Sequence, residues 1–81
     1  MPKVRRENFP PRLFQHLLDR VQGRKIPIDQ LKLLARWLDS EPDVPDGLWY
    51  KQFPAMTVCG DGELIMTVLR PGQAAKGERV N

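Results

Sequence analysis

The basic side chains of this 81-residue sequence are the residues whose types and spacing most favour a binding chemistry. Residues 1–36 carry nine Lys and Arg against three Asp and Glu, residues 37–63 carry one against six, and residues 64–81 carry three against one. A basic first half attracts phosphates or an acidic partner, whereas an acidic middle repels nucleic acid from any face the two share. The sequence therefore predicts a nucleic acid or an acidic protein as the binding partner.

Seven basic residues form the predicted nucleic-acid-binding set. Lys32 and Arg36 are four residues apart, which places them on one face of a helix. The others precede that helix or lie in an N-terminal segment that can fold back onto it. The set consists of Arg5, Arg6, Arg12, Arg24, Lys25, Lys32 and Arg36. The alternative is that these side chains only keep a small domain in solution, and the sequence leaves both open.

No residue pattern predicts catalysis, a cofactor or a bound metal. The single histidine, His16, lies on the polar side of a predicted helix, without partners that the sequence places near it. Cys59 lies in an apolar stretch followed by acids, which raise the pKa of a thiol rather than activate it. Asp39, Glu41 and Asp43 are spaced like the start of a calcium-binding loop, but the glycine and glutamate that complete such a loop are missing. We therefore predict no catalytic, cofactor-binding or metal-binding residue.

Two predicted helices carry most of the basic residues. Leu13, Leu17 and Val21 recur at the helical spacing of four and predict a helix over residues 10–22 that starts at a proline. A second helix is predicted over residues 28–39, with an apolar face so wide that we expect the first helix and a later sheet to cover it. Between this helix and the sheet, two prolines and four acids predict an acidic loop over residues 39–47.

The last third of the chain predicts two or three antiparallel strands within residues 48–69. The stretches there are rich in β-branched and aromatic residues, and Asp61-Gly62 is a typical corner of a β-hairpin. A turn centred on those two residues pairs Val58 with Ile65. Trp49 and Tyr50, directly after the acidic loop, are predicted to lie at a partner interface, and the sequence leaves a position in the core equally open.

These elements predict a single α+β domain, with an N-terminal helical hairpin packed on a small C-terminal two- or three-stranded antiparallel sheet. We expect a flexible basic arm at residues 1–8, the domain at 9–70 and a disordered tail at 71–81. The charged N-terminus and the lack of a long apolar run predict a cytoplasmic protein that does not insert into a membrane.

Three classes of function fit this sequence. The first, which we favour here, is a non-enzymatic nucleic-acid-binding module. The second is a protein-interaction module of the inhibitor, immunity or antitoxin kind, which docks through the aromatic or apolar sheet surface; that surface also predicts a possible homodimer. The third follows from element order over residues 10–70, which resembles the toxin fold of bacterial toxin–antitoxin pairs without its usual first strand. That resemblance implies a small ribonuclease and assigns no catalytic residue.

Overall fold

The computed structural model describes residues 2–23, 25–70 and 72–80 of the chain. This part has an α+β fold, in which a helical hairpin precedes a four-stranded sheet. Helix α1 spans Pro11–Gln22 and helix α2 spans Ile28–Asp39, which confirms the predicted hairpin. Each helix starts directly after or at a proline, whose fixed φ suits the first turn. No helix in these described ranges is long and apolar enough to cross a membrane.

The sheet has the strand order β3-β2-β1-β4. The strands are β1 (Leu48–Phe53), β2 (Met56–Asp61), β3 (Leu64–Leu69) and β4 (Glu78–Val80). Strands β1, β2 and β3 form the predicted antiparallel meander, and β4 pairs in parallel with β1. The sheet is therefore mixed, with one strand more than predicted.

Strand β4 lies in the segment of residues 71–81, which the sequence predicts to be a disordered tail. Its three residues pair with β1 from Trp49 to Lys51, and Val80 packs against the core. The polar composition of the segment concealed this strand, because pairing with a free sheet edge uses backbone N–H and C=O groups and needs few apolar side chains.

The β2–β3 hairpin has a different register from the predicted one. Val58 pairs with Val68 rather than with Ile65, because the turn begins one residue later, at Gly62, and the ladder skips Met66. Gly62 has a φ of +58°, which favours glycine. The bulge at Met66 changes the alternation of β3, so that Ile65 and Val68, three residues apart, are both buried.

The core lies between the helices and one face of the sheet. Its buried apolar residues are Val4, Leu17, Ile26, Leu34, Leu38, Val44, Trp49, Met56, Val58, Ile65 and Val68. Gln30 is also buried, and its side-chain oxygen accepts a hydrogen bond of 3.0 Å from the backbone N–H of Ala55. This bond ties α2 to the β1–β2 turn.

Residues 2–9, which we call the N-terminal strap, are packed on the acidic loop. The flexibility of residues 1–8 stays a prediction. Val4 has no exposed surface, and its N–H donates to the carbonyl oxygen of Pro42 at 3.1 Å. The N–H of Val44 donates in return to the carbonyl oxygen of Pro2 at 2.9 Å. One buried valine among charged residues therefore anchors the strap, and it is a weak signal in the sequence.

Candidate functional site

Three ion pairs join the N-terminal strap to the acidic loop and the end of α2. They join Lys3 to Asp43 at 3.2 Å, Arg5 to Glu41 at 3.0 Å and Arg6 to Asp39 at 2.6 Å. All six side chains are at least half exposed, so each pair contributes at most about 1 kcal/mol to stability. Their main consequence is electrostatic, because three acids and three basic residues neutralise one another. Arg5 and Arg6 are therefore less available to phosphates than the sequence suggested.

The rest of the predicted basic set is spread over both helices and their connection. Its members with described positions are all exposed: Arg12, Lys25, Lys32 and Arg36. None of the four takes part in an ion pair within the described part of the chain. Arg24 lies outside the described residues. Lys32 and Arg36 are one turn apart on α2 as predicted, and Lys32 shares a groove with Arg6.

That groove opens between α2 and the segment formed by the strap and the first turns of α1, and has a volume of about 700 Å³. One wall consists of Arg6, Phe9, Pro11 and Phe14, and the other of Ile28, Leu31, Lys32 and Ala35. The side chains of Leu34 and Leu38 form its base, where both are buried. Eight of these ten lining residues are apolar.

The groove exposes large apolar side chains to water. Ile28 is 63% exposed and Phe14 is 48% exposed, although both lie beside the buried core. The rings of Phe9 and Phe14 meet edge to face, with centroids 6.0 Å apart, and this contact orients one wall. Full burial of a side chain such as Ile or Phe contributes about 1.5–3 kcal/mol. A molecule that covered this wall would therefore gain a large part of its binding free energy from these side chains.

Both charged residues that line the groove are basic. The acid that contacts one of them is Asp39, whose two carboxylate oxygens are bound to Arg6 at 2.6 and 2.8 Å. Lys32 on the opposite wall is exposed and lies outside the ion pairs of the described residues. The groove is therefore apolar along its walls, and its rim carries one basic side chain, Lys32, that lies outside these ion pairs.

Trp49 is part of the core, which is one of the two positions that the sequence leaves open for it. It is fully buried, lies 5.7 Å from Trp37 between ring centroids, and its Nε1 donates to the carbonyl oxygen of Gly62 at 2.7 Å. Tyr50 is half-buried and, by strand alternation, lies on the outer face of the sheet. The outer face also exposes Leu64, so the predicted homodimer through the sheet stays a prediction.

The residues considered for chemistry do not form a catalytic arrangement in the described part of the chain. His16 is exposed on α1, and burial raises the pKa of the Cys59 thiol, which favours its unreactive neutral form. Among the described residues, no group of three or more His, Cys, Asp and Glu side chains is placed to hold a metal ion. The acidic loop is instead bound to the strap.

Sequence reasoning missed the groove because helical periodicity identifies an apolar face and does not measure how much of it is covered. Ile28, Leu31 and Ala35 have the spacing of core residues and were assigned to the interior. The signal in the sequence was the width of the apolar face of α2. This face is wider than the part of it that the neighbouring elements cover.

Comparison with known proteins gives no match: no protein-family model, curated protein or solved structure is significantly similar to this chain. The resemblance to the toxin fold therefore rests on element order alone.

Proposed function

We propose that this chain is a small protein-interaction module whose binding surface is the groove between α2 and the strap with α1. The observation that carries this proposal is the exposure of Phe14 and Ile28 on the two walls of one apolar groove. Contiguous apolar surface of this kind is typical of sites that bind other proteins, because water is a poor solvent for it. The proposal belongs to the second of the three classes that fit the sequence, with a different surface from the one expected there.

The charge distribution supports a protein partner over a nucleic acid. Binding to a nucleic-acid backbone rests on several cations that each neutralise a phosphate. In this fold Arg5 and Arg6 already neutralise Glu41 and Asp39, and Lys32 borders apolar side chains that offer nothing to a phosphate. An apolar groove with few charges is better suited to apolar anchors from another chain.

A peptide-display selection against the wild-type protein tests this proposal. We expect selected peptides to bind wild type and to lose binding to Ile28→Lys, which places a charge on the wall of the groove. Ile28 is exposed, so the substitution leaves the core intact. Leu64→Lys is the matched control, because Leu64 is a similarly exposed aliphatic residue on the outer face of the sheet. Selection of no peptides, or of peptides that only Leu64→Lys rejects, would overturn the proposal.

A second candidate function, nucleic-acid binding, is favoured by the position of Lys32 and Arg36 one turn apart on the exposed side of α2. If both contact phosphates, affinity for duplex should fall by about 0.9 log unit per log unit of salt for each contact. Changing both residues to Gln should reduce the salt dependence of affinity by the amount expected for about two such contacts. Both side chains are exposed, so the substitutions should leave the fold unchanged. A gel shift with mixed nucleic acids in low salt measures this, and no shift of the wild-type protein would exclude the candidate.

A further inference from the structure

We infer that the groove binds an amphipathic helix with acidic flanks, contributed by a different protein. This inference rests on the proposed function and specifies the chemistry of its partner. It depends on three properties of the groove: its shape, the state of the backbone in its walls, and the sign of its charges.

The shape of the groove matches a short helix. Its lining follows α2 from Ile28 to Leu38, a distance of about 15 Å at the rise of a helix. Apolar anchors at positions i, i+3 and i+7 of a partner helix span about 10 Å, which fits within that length. Phe14 and Ile28 both line the groove, so a helix laid along it can contact both.

The backbone of the walls disfavours an extended partner. A strand binds by adding to a free sheet edge, where unpaired N–H and C=O groups are available. The walls of this groove are mainly helical, so their backbone groups bond one another. Helix α1 begins at Pro11, directly after Pro10, and neither proline has an N–H to donate. A helical partner satisfies its own backbone and needs only side-chain contacts.

The charges select an acidic partner over a second copy of this chain. Of the two charged lining residues, Arg6 is paired with Asp39 and Lys32 lies outside the ion pairs of the described residues, and the chain has a net charge of +3. A copy placed with its own groove against this one would bring like charges together. Three of the four acids of its acidic loop, Asp39, Glu41 and Asp43, are paired with its own strap and offer less to Lys32. A Glu or Asp on the flank of a foreign helix can instead face Lys32.

Three synthetic helical peptides with leucine anchors at i, i+3 and i+7 test the inference by fluorescence anisotropy. The first has Glu flanks, the second has Lys flanks, and the third has Glu flanks with the leucines replaced by serine. We expect only the first to bind wild type tightly. It alone has leucines for the apolar walls and Glu side chains for the basic side chain on the rim. Lys32→Glu should weaken its binding by about fivefold to tenfold and strengthen binding of the Lys peptide.

Two variants separate the possible results. Lys76→Glu makes the same change of net charge at an exposed residue away from the groove and should alter affinity by less than about twofold. Ile28→Gln removes an apolar contact without adding charge and should abolish binding.

Each result has one interpretation. If the Glu and Lys peptides bind equally and both lose binding to Ile28→Gln, the acidic partner is overturned and the proposed function stands. Binding of no peptide, or binding that Ile28→Gln leaves unchanged, would overturn both. A wild-type dimer that Ile28→Gln makes monomeric would assign the groove to a second copy and overturn the inference.

Discussion

Gly60 shows how a single absent methyl group determines the packing of this sheet. It pairs with Trp49 across β1 and β2, and a Cβ at this position would overlap the indole ring of Trp49. In the sequence, Gly60 directly precedes the predicted hairpin corner Asp61-Gly62. Only the structure shows that the residue faces the core, since the sequence does not give the depth to which a neighbouring ring enters.

We predict that Gly60→Ala lowers the free energy of unfolding by about 1–3 kcal/mol, the usual cost of overpacking a filled core. Urea denaturation measures the change. Gly47→Ala is the matched control, because no atom lies within 4 Å of the added methyl group and the change should stay within about 0.5 kcal/mol. Equal effects of both substitutions would show that the Trp49 contact is not responsible.

We predict that Leu34→Ala lowers the free energy of unfolding by about 2–5 kcal/mol, because Leu34 is buried at the centre of α2 and its truncation leaves a cavity. Ile28→Ala on the same helix should cost less than about 1 kcal/mol, since Ile28 is mostly exposed. The difference between the two in denaturant melts tests the assignment of Ile28 to an open groove. A similar loss for both would place Ile28 in the core.

The position of Cys59 predicts how stability and thiol labelling depend on pH. Burial raises the pKa of its thiol in the folded state, so the native protein retains this proton more strongly than the unfolded chain. The resulting contribution to stability is complete below the pKa of the unfolded thiol and is lost as pH rises through the folded pKa. We expect a thiol reagent at mildly alkaline pH to label the folded protein more slowly than the urea-unfolded protein. Equal labelling rates would contradict burial of this side chain.

At the scale of elements, the helices and the three antiparallel strands were predictable because each has its own periodicity and its own proline or glycine boundary. The register of β2 and β3 was not, since the turn begins one residue later than Asp61-Gly62 indicates and a bulge at Met66 moves the pairing by one residue more, without any composition signal. β4 was missed because its pairing uses the backbone. The strap was missed because its single apolar residue, Val4, lies among charges.

The strap nevertheless has a signal in its spacing. Lys3 and Arg5 bind Asp43 and Glu41, so the basic residues run in the opposite direction to the acids at the same interval of two. This is the arrangement that an antiparallel backbone pair produces, in which neighbouring side chains of opposite charge attract. Complementary charge spacing between distant segments can therefore indicate a contact that hydropathy does not.

We predict that Val4, and not the ion pairs, holds the strap in place. Val4→Ala should lower the free energy of unfolding by about 2 kcal/mol, because two buried carbon groups are removed. Arg5→Gln should cost less than about 1 kcal/mol, because its ion pair is half exposed. Urea denaturation compares them, and hydrogen exchange at the Val44 N–H, which donates to Pro2, reports the strap directly. A larger effect of Arg5→Gln would show that the ion pairs, and not Val4, hold the strap in place.

At the scale of the whole molecule, the sequence has a basic first half and an acidic middle, and does not show whether the two share a face. The fold brings them together, and much of the charge on the strap is used within the chain. The feature that remains for a partner is the apolar groove with its basic rim. Its position depends on how far α2 is covered by the strap and α1, which is a property of the packed molecule and of no single segment.

The most direct test of the groove as the binding surface is amide chemical-shift mapping of the wild-type protein with the Glu-flanked helical peptide. We predict that the largest shifts fall on both walls of the groove, at Phe9, Phe14, Ile28, Leu31 and Ala35, and that the outer face of the sheet is unchanged. Shifts centred on Leu48, Leu64 and Met66, or no shifts at peptide concentrations well above that of the protein, would contradict the account.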